Sequence, residues 1–87
     1  MDAAALALCM TAFDFGVVYA DLVLPKHQAT AWDDKVIAIS VELAATYTGQ
    51  DDLLVALLHD ANRKVVNMTG SELVKTIKQC EGSLPAS

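Results

Sequence analysis

Asp51-Asp52-Leu53-Leu54-Val55-Ala56-Leu57-Leu58-His59-Asp60-Ala61-Asn62-Arg63-Lys64-Val65-Val66 is the most strongly helical stretch of the chain. Leu54, Leu57, Leu58, Ala61, Val65 and, just beyond, Met68 recur on one face of a 3.6-residue repeat. Asp52, His59, Asn62 and Arg63 fall on the other side. Asp60 precedes Lys64 by four, the favourable order for a side-chain pair on a helix. Thr48-Gly49-Gln50-Asp51 fits a capping box, with the Thr hydroxyl and the later acid meeting free backbone N–H groups. Asp51 and Asp52 then stand at the positive end of the helix dipole, and Arg63 and Lys64 near the negative end. Pattern, cap and charge agree on a helix over 51–66, taken here as the one the others pack around.

Upstream, Asp2 can cap a helix from Ala3 to Leu24. Leu6, Met10, Phe13, Val17, Ala20 and Leu24 follow a coiled-coil-like spacing. Leu8, Ala12, Phe15, Tyr19 and Leu22 make a second stripe, leaving Thr11, Asp14 and Asp21 as a narrow polar face. A helix apolar on most sides is buried on most sides. Gly16 lowers helix propensity by about 1 kcal/mol against Ala and marks a break or a close helix crossing. The alternative for 15–24 is a strand, since Val17, Val18, Tyr19 and Val23 favour β structure. It has no second strand to pair with.

Pro25 ends this helix, Lys26–Ala29 reads as a short loop, and Thr30-Ala31-Trp32-Asp33 opens the next helix with a hydroxyl cap. Its stripe is Trp32, Val36, Ile39, Leu43 and Tyr47, widened by Ile37, Val41 and Ala44, and Gly49 supplies the stop. After 51–66, Thr69-Gly70-Ser71-Glu72 caps a last helix. Leu73, Val74, Ile77 and Cys80 face inward there, and Lys75, Lys78 and Gln79 outward. Gly82 ends it, leaving residues 83–87 as a frayed tail. The expectation is an all-α, compact four-helix domain over residues 1–82, with short connections and antiparallel neighbours.

The domain is small, and 54% of its 87 residues are hydrophobic, with a mean hydropathy of +0.37. A fold of this size buries only about 60–65% of its unfolded surface. There is more apolar side chain than one small core hides, so a second copy or a protein partner is expected to cover the rest. Covering ~400 Å² more contributes on the order of 10 kcal/mol before association costs. The net charge of -5 disfavours nucleic acid, whose phosphates need a basic surface. Acids concentrate in residues 1–34 and bases in 63–87, a dipole able to orient a partner.

Cys9 and Cys80 are too few for a disulfide scaffold. Both sit at apolar helical positions, where free Cys behaves as a small hydrophobe, so a reducing, cytoplasmic compartment is expected. Asn67-Met68-Thr69 matches a glycosylation tripeptide, which has no consequence without a secretory signal. The run Ala3–Leu24 lacks a basic leader, and Asp14 and Asp21 interrupt it, so neither a signal nor a membrane span is read.

Leu57-Leu58-His59-Asp60-Ala61 resembles the central motif of the HD-domain metal-dependent phosphohydrolases. The resemblance covers at most about a third of the chain. It implies a metal held by the His-Asp pair, an upstream His and a downstream Asp. The upstream ligand would fall near Trp32 or Asp33, and neither is His; no Asp follows Asp60. Cys9, His27, His59 and Cys80 lack the paired spacing of a zinc site. The two cysteines lack the polar setting of a nucleophile, and there is no Gly-rich phosphate loop. Residues 51–82 could also be read as a DNA-binding helix-turn-helix, but Glu72 stands where phosphates would lie. No enzymatic activity, cofactor, metal or small-molecule substrate is therefore expected.

The expected role is a protein-interaction module: an inhibitor, antiactivator or adaptor of the kind bacteria and phages use, by analogy of size and charge. Core packing accounts for most aromatics. The expected contact surface is Phe15, Tyr19 and Leu22 on the first helix, with Trp32, Asp33 and Asp34 at the start of the second. Trp32, in a first helical turn beside a loop, is the anchor of that surface.

Overall fold

Three of the helices pack on the fourth, and the helix they share is the first. The computed structural model describes residues 2–23 and 26–83, with side chains described outside 17–31. The elements are α1 (Ala3–Val23), α2 (Lys26–Thr46), α3 (Asp51–Val66) and α4 (Gly70–Ser83). α2, α3 and α4 each lie against α1 and have little contact with one another. The strongly patterned 51–66 helix is therefore peripheral, and the apolar first helix is the centre. The reason is the width of the apolar surface. α3 offers one stripe and can satisfy it on a single neighbour, whereas α1 needs neighbours on several sides. Leu6, Ala7, Cys9, Ala12 and Phe13 of α1 are all buried.

The other helices each contribute one stripe to this core: Trp32, Ile39 and Leu43 from α2, Ala61 and Val65 from α3, Ile77 and Cys80 from α4. Val36, Tyr47, Leu54, Leu57, Leu58, Met68 and Leu73 pack against its edge. The radius of gyration is 12.6 Å, close to the ~12 Å expected of a compact chain this long.

Asp2 caps α1 as expected, its carboxylate accepting from the Ala5 N–H at 2.7 Å. Thr69 caps α4: its hydroxyl accepts from the Glu72 N–H at 3.2 Å and donates to the Glu72 carboxylate at 3.2 Å. Gly49, at φ +77°, takes the left-handed conformation that ends α2.

The helix preferred over a strand for residues 15–23 is present. Several other expectations are corrected. The expected loop Lys26–Ala29 is the first turn of α2. Proline lacks an N–H that a helix start does not need, so a helix can resume directly after it; Lys, Gln and Ala are good helix formers. Thr30 is therefore not a cap. Nor does Thr48 cap α3. Its hydroxyl turns back to the Ala44 and Ala45 carbonyls at 3.2 and 3.0 Å, and Gln50 holds the cap position without a side-chain bond. Gly82 lies inside α4, and the expected tail beyond Ser83 lies outside the described residues. Thr11, expected on a polar face, is buried and donates to the Ala7 carbonyl at 2.8 Å.

The two cysteines are not free hydrophobes. Cys9 of α1 and Cys80 of α4 form a disulfide, with Cα atoms 5.6 Å apart. Each stands at an inward apolar position, as its stripe predicts, but separate stripes do not reveal that α4 lies on the Cys9 side of α1.

Gly16 marks a close crossing. A Cβ there would stand 2.8 Å from Ile77 Cδ1 and 3.0 Å from Trp32 Cζ3. α2 and α4 thus both press against α1 at its one residue without a side chain. Gly16 and Trp32 lie at similar distances either side of the α1–α2 junction, so these two helices run in opposite directions. The pairs 9–80 and 16–77 show the same for α1 and α4.

Candidate protein-binding surface

Trp32 is not a surface anchor. It is 7% exposed, packs at Gly16, and aims its indole N–H at a Glu81 carboxylate oxygen 3.4 Å away. Because α2 begins at Lys26, Trp32 sits in its second turn with helix on both sides, not at a frayed start. Phe15 is half-buried, and Asp33 and Asp34 are exposed. The Tyr19 and Leu22 side chains lie outside those described.

Among the described residues, the large apolar side chains left outside are Ile37 and Val41 on α2, Leu53, Val55 and Val66 on α3, and Val74 on α4. Ile37, Val41 and Ala44 were expected to widen the core stripe of α2, and Val74 to face inward. All four are exposed. Ile37, Val41 and Ala44 follow a four-three spacing opposite the Trp32–Tyr47 stripe. α2 thus carries two apolar stripes, of which α1 covers one. That double pattern is the sequence signal for an outer surface on α2.

Between α2 and α3 the surface of α1 stays partly open. A groove of about 230 Å³ lies there, lined by Met10, Thr11, Asp14 and Phe15 of α1, Val36 of α2, and Leu58 and Asn62 of α3. Its rims follow from helical register. On α3, Val55 precedes Leu58 by three and Val66 follows Asn62 by four, so both share the groove side. On α2, Asp33 and Ser40 flank Val36 by three and four, while Ile37 and Val41 belong to the outer stripe. Phe15, Asp33, Val55 and Val66 therefore edge the groove side of the molecule. A smaller groove of about 160 Å³ separates α1 from the opposite flank of α3, where Leu57, Asp60 and Lys64 lie.

The His59-Asp60 pair, which carries the resemblance to the phosphohydrolase motif, lies in the middle of α3. His59 is exposed on the outside of α3. Asp60 is engaged by the Arg63 guanidinium at 2.6 Å and the Lys64 ammonium at 3.2 Å. The hydrogen bond from Arg63, then that from Lys64, hold its carboxyl below the ordinary aspartate range. Among the described residues, no three His, Cys, Asp or Glu side chains are placed to hold a metal ion. Among the described residues, too, no helix is long and apolar enough to cross a membrane.

Compared with known protein families, curated proteins and solved structures, the chain matches none.

Proposed function

We propose that this is a non-enzymatic helical module that works by contact with another protein chain, either a second copy or a larger partner. The observation that carries the reading is the aliphatic surface left open on α2 and α3. Ile37 is 55% and Val41 65% exposed on the outer stripe of α2, and Val55 64% and Val66 59% on α3, beside an apolar-floored groove between the two helices. Exposed aliphatic side chains of this kind, several to a helix, are typical of recognition surfaces.

An inhibitor or adaptor role suits a small, rigid surface of this kind. The Cys9–Cys80 bond supports an oxidising working compartment in place of the reducing cytoplasm expected from the cysteine count.

The test pairs a mass measurement with two surface variants. Sedimentation at high micromolar concentration reports self-association, and capture from the native host reports a partner. Ile37→Asp and Val41→Asp are expected to abolish whichever complex forms while leaving the melting temperature unchanged. A monomer whose captured proteins are indifferent to both variants would sink the reading.

A further inference from the structure

The α2–α3 groove has a composition that selects its occupant. Its floor and walls are apolar: Met10 and Phe15 from α1, Val36 from α2, Leu58 from α3. Asp14 is the one charged residue among those lining it, and Asn62 is polar at its edge. The Thr11 hydroxyl, also in the lining, is already donated to the Ala7 carbonyl. At about 230 Å³ the groove is smaller than the ~300–1,000 Å³ of cofactor and metabolite sites. It is the size of one long side chain.

We infer that this groove receives a lysine or arginine side chain of the partner protein, its methylene stem against Met10, Phe15, Val36 and Leu58 and its cationic head at Asp14. Long basic side chains bury their stems on apolar surface while keeping the charge in a polar setting, and this groove offers both along one short path. The charge around it is complementary. Asp33 shares the Val36 side of α2, no Lys or Arg is in the lining, and the chain carries -5 overall. An acidic or purely apolar anchor would leave Asp14 facing a like charge or without a counter-ion as water is excluded. The inference rests on the partner-binding reading and adds the chemistry of the anchor to it.

The test needs no partner. n-Butylguanidinium is titrated into the intact, disulfide-bonded protein while the methyl NMR signals of Met10, Val36 and Leu58 are followed, with butanol and butyrate as controls. The cation is expected to shift these signals saturably, and at least fivefold more tightly than either control. Asp14→Asn, an exposed substitution, is expected to remove that preference. Equal shifts from butanol and from the cation, unchanged binding in Asp14→Asn, or no saturable shift would each overturn the inference. Failure of the parent reading is told apart by capture: a partner lost with Val41→Asp but retained at full strength by Asp14→Asn sinks the anchor alone.

Discussion

At Gly16, the missing side chain is the contact. An added Cβ meets the Ile77 terminus, which can move, and the Trp32 ring, which is wedged against α1 and Glu81. Alanine regains about 1 kcal/mol of helix propensity, which partly offsets the overpacking. Gly16→Val adds two methyl groups and gives up part of that gain. It is expected to lower stability by about 2–3 kcal/mol in urea unfolding. An unchanged midpoint would mean that α2 and α4 do not meet α1 here. Trp32, the only tryptophan, should emit at short wavelength in the folded protein and shift red on unfolding; native emission at the wavelength of free indole in water would contradict its burial. Asp60 gives a pH prediction. Its carboxyl is held low in the folded state by Arg63 and Lys64. The stabilisation is therefore fully present above the unfolded aspartate pKa and disappears as pH falls through the lowered folded value. A carbon-detected NMR titration should place Asp60 below the ordinary ~3.9, and Arg63→Gln together with Lys64→Gln should bring it back.

Among the elements, the two Thr-Gly phrases separate what pattern can and cannot tell. Thr48-Gly49-Gln50-Asp51 and Thr69-Gly70-Ser71-Glu72 look like the same cap, but only Thr69 acts as one. A hydroxyl near the junction of two helices can serve the end of the first or the start of the second. The left-handed Gly49 turns Thr48 toward α2. Thr69→Ala is accordingly expected to cost about 1 kcal/mol, and Thr48→Ala well under half of that. Equal losses would restore the cap reading for both. The start of α2 teaches a related lesson. Pro25 is a valid stop signal, but the residues after it were free to begin a helix at once. That shift of one turn carried Trp32 from an exposed first turn into the core.

For the whole molecule, the disulfide fastens α4 to the central helix. It closes a loop with a sequence separation of 71 residues, for which chain entropy gives about 4 kcal/mol of stabilisation. Reduction, or Cys9→Ser with Cys80→Ser, should lower the unfolding free energy by that order. Amide protection should fall first in α4, which otherwise packs on the core through Leu73 and Ile77 and meets α2 through the Trp32–Glu81 contact. Uniform loss of protection along the chain would argue that α4 is no separate unit. The outward aliphatic residues belong to this scale too, since whether Ile37 or Val41 faces protein or solvent depends on how many helices stand beside α2.

Local signals were enough for the four helices, most of their inward stripes and two of their caps. These depend on residues within a turn or two of each other: Leu57 with Ala61, Asp2 with Ala5, Thr69 with Glu72. What the linear order left open was which helix takes the centre, which cysteine meets which, and which of α2's two apolar stripes is covered. The candidate site fell in that second group. Trp32 and Ile37 are equally apolar on the page, and a stripe records a preference for burial without naming the surface that will satisfy it. Only the packing of α2 and α4 on α1 at Gly16 sent Trp32 inward and left Ile37 outside.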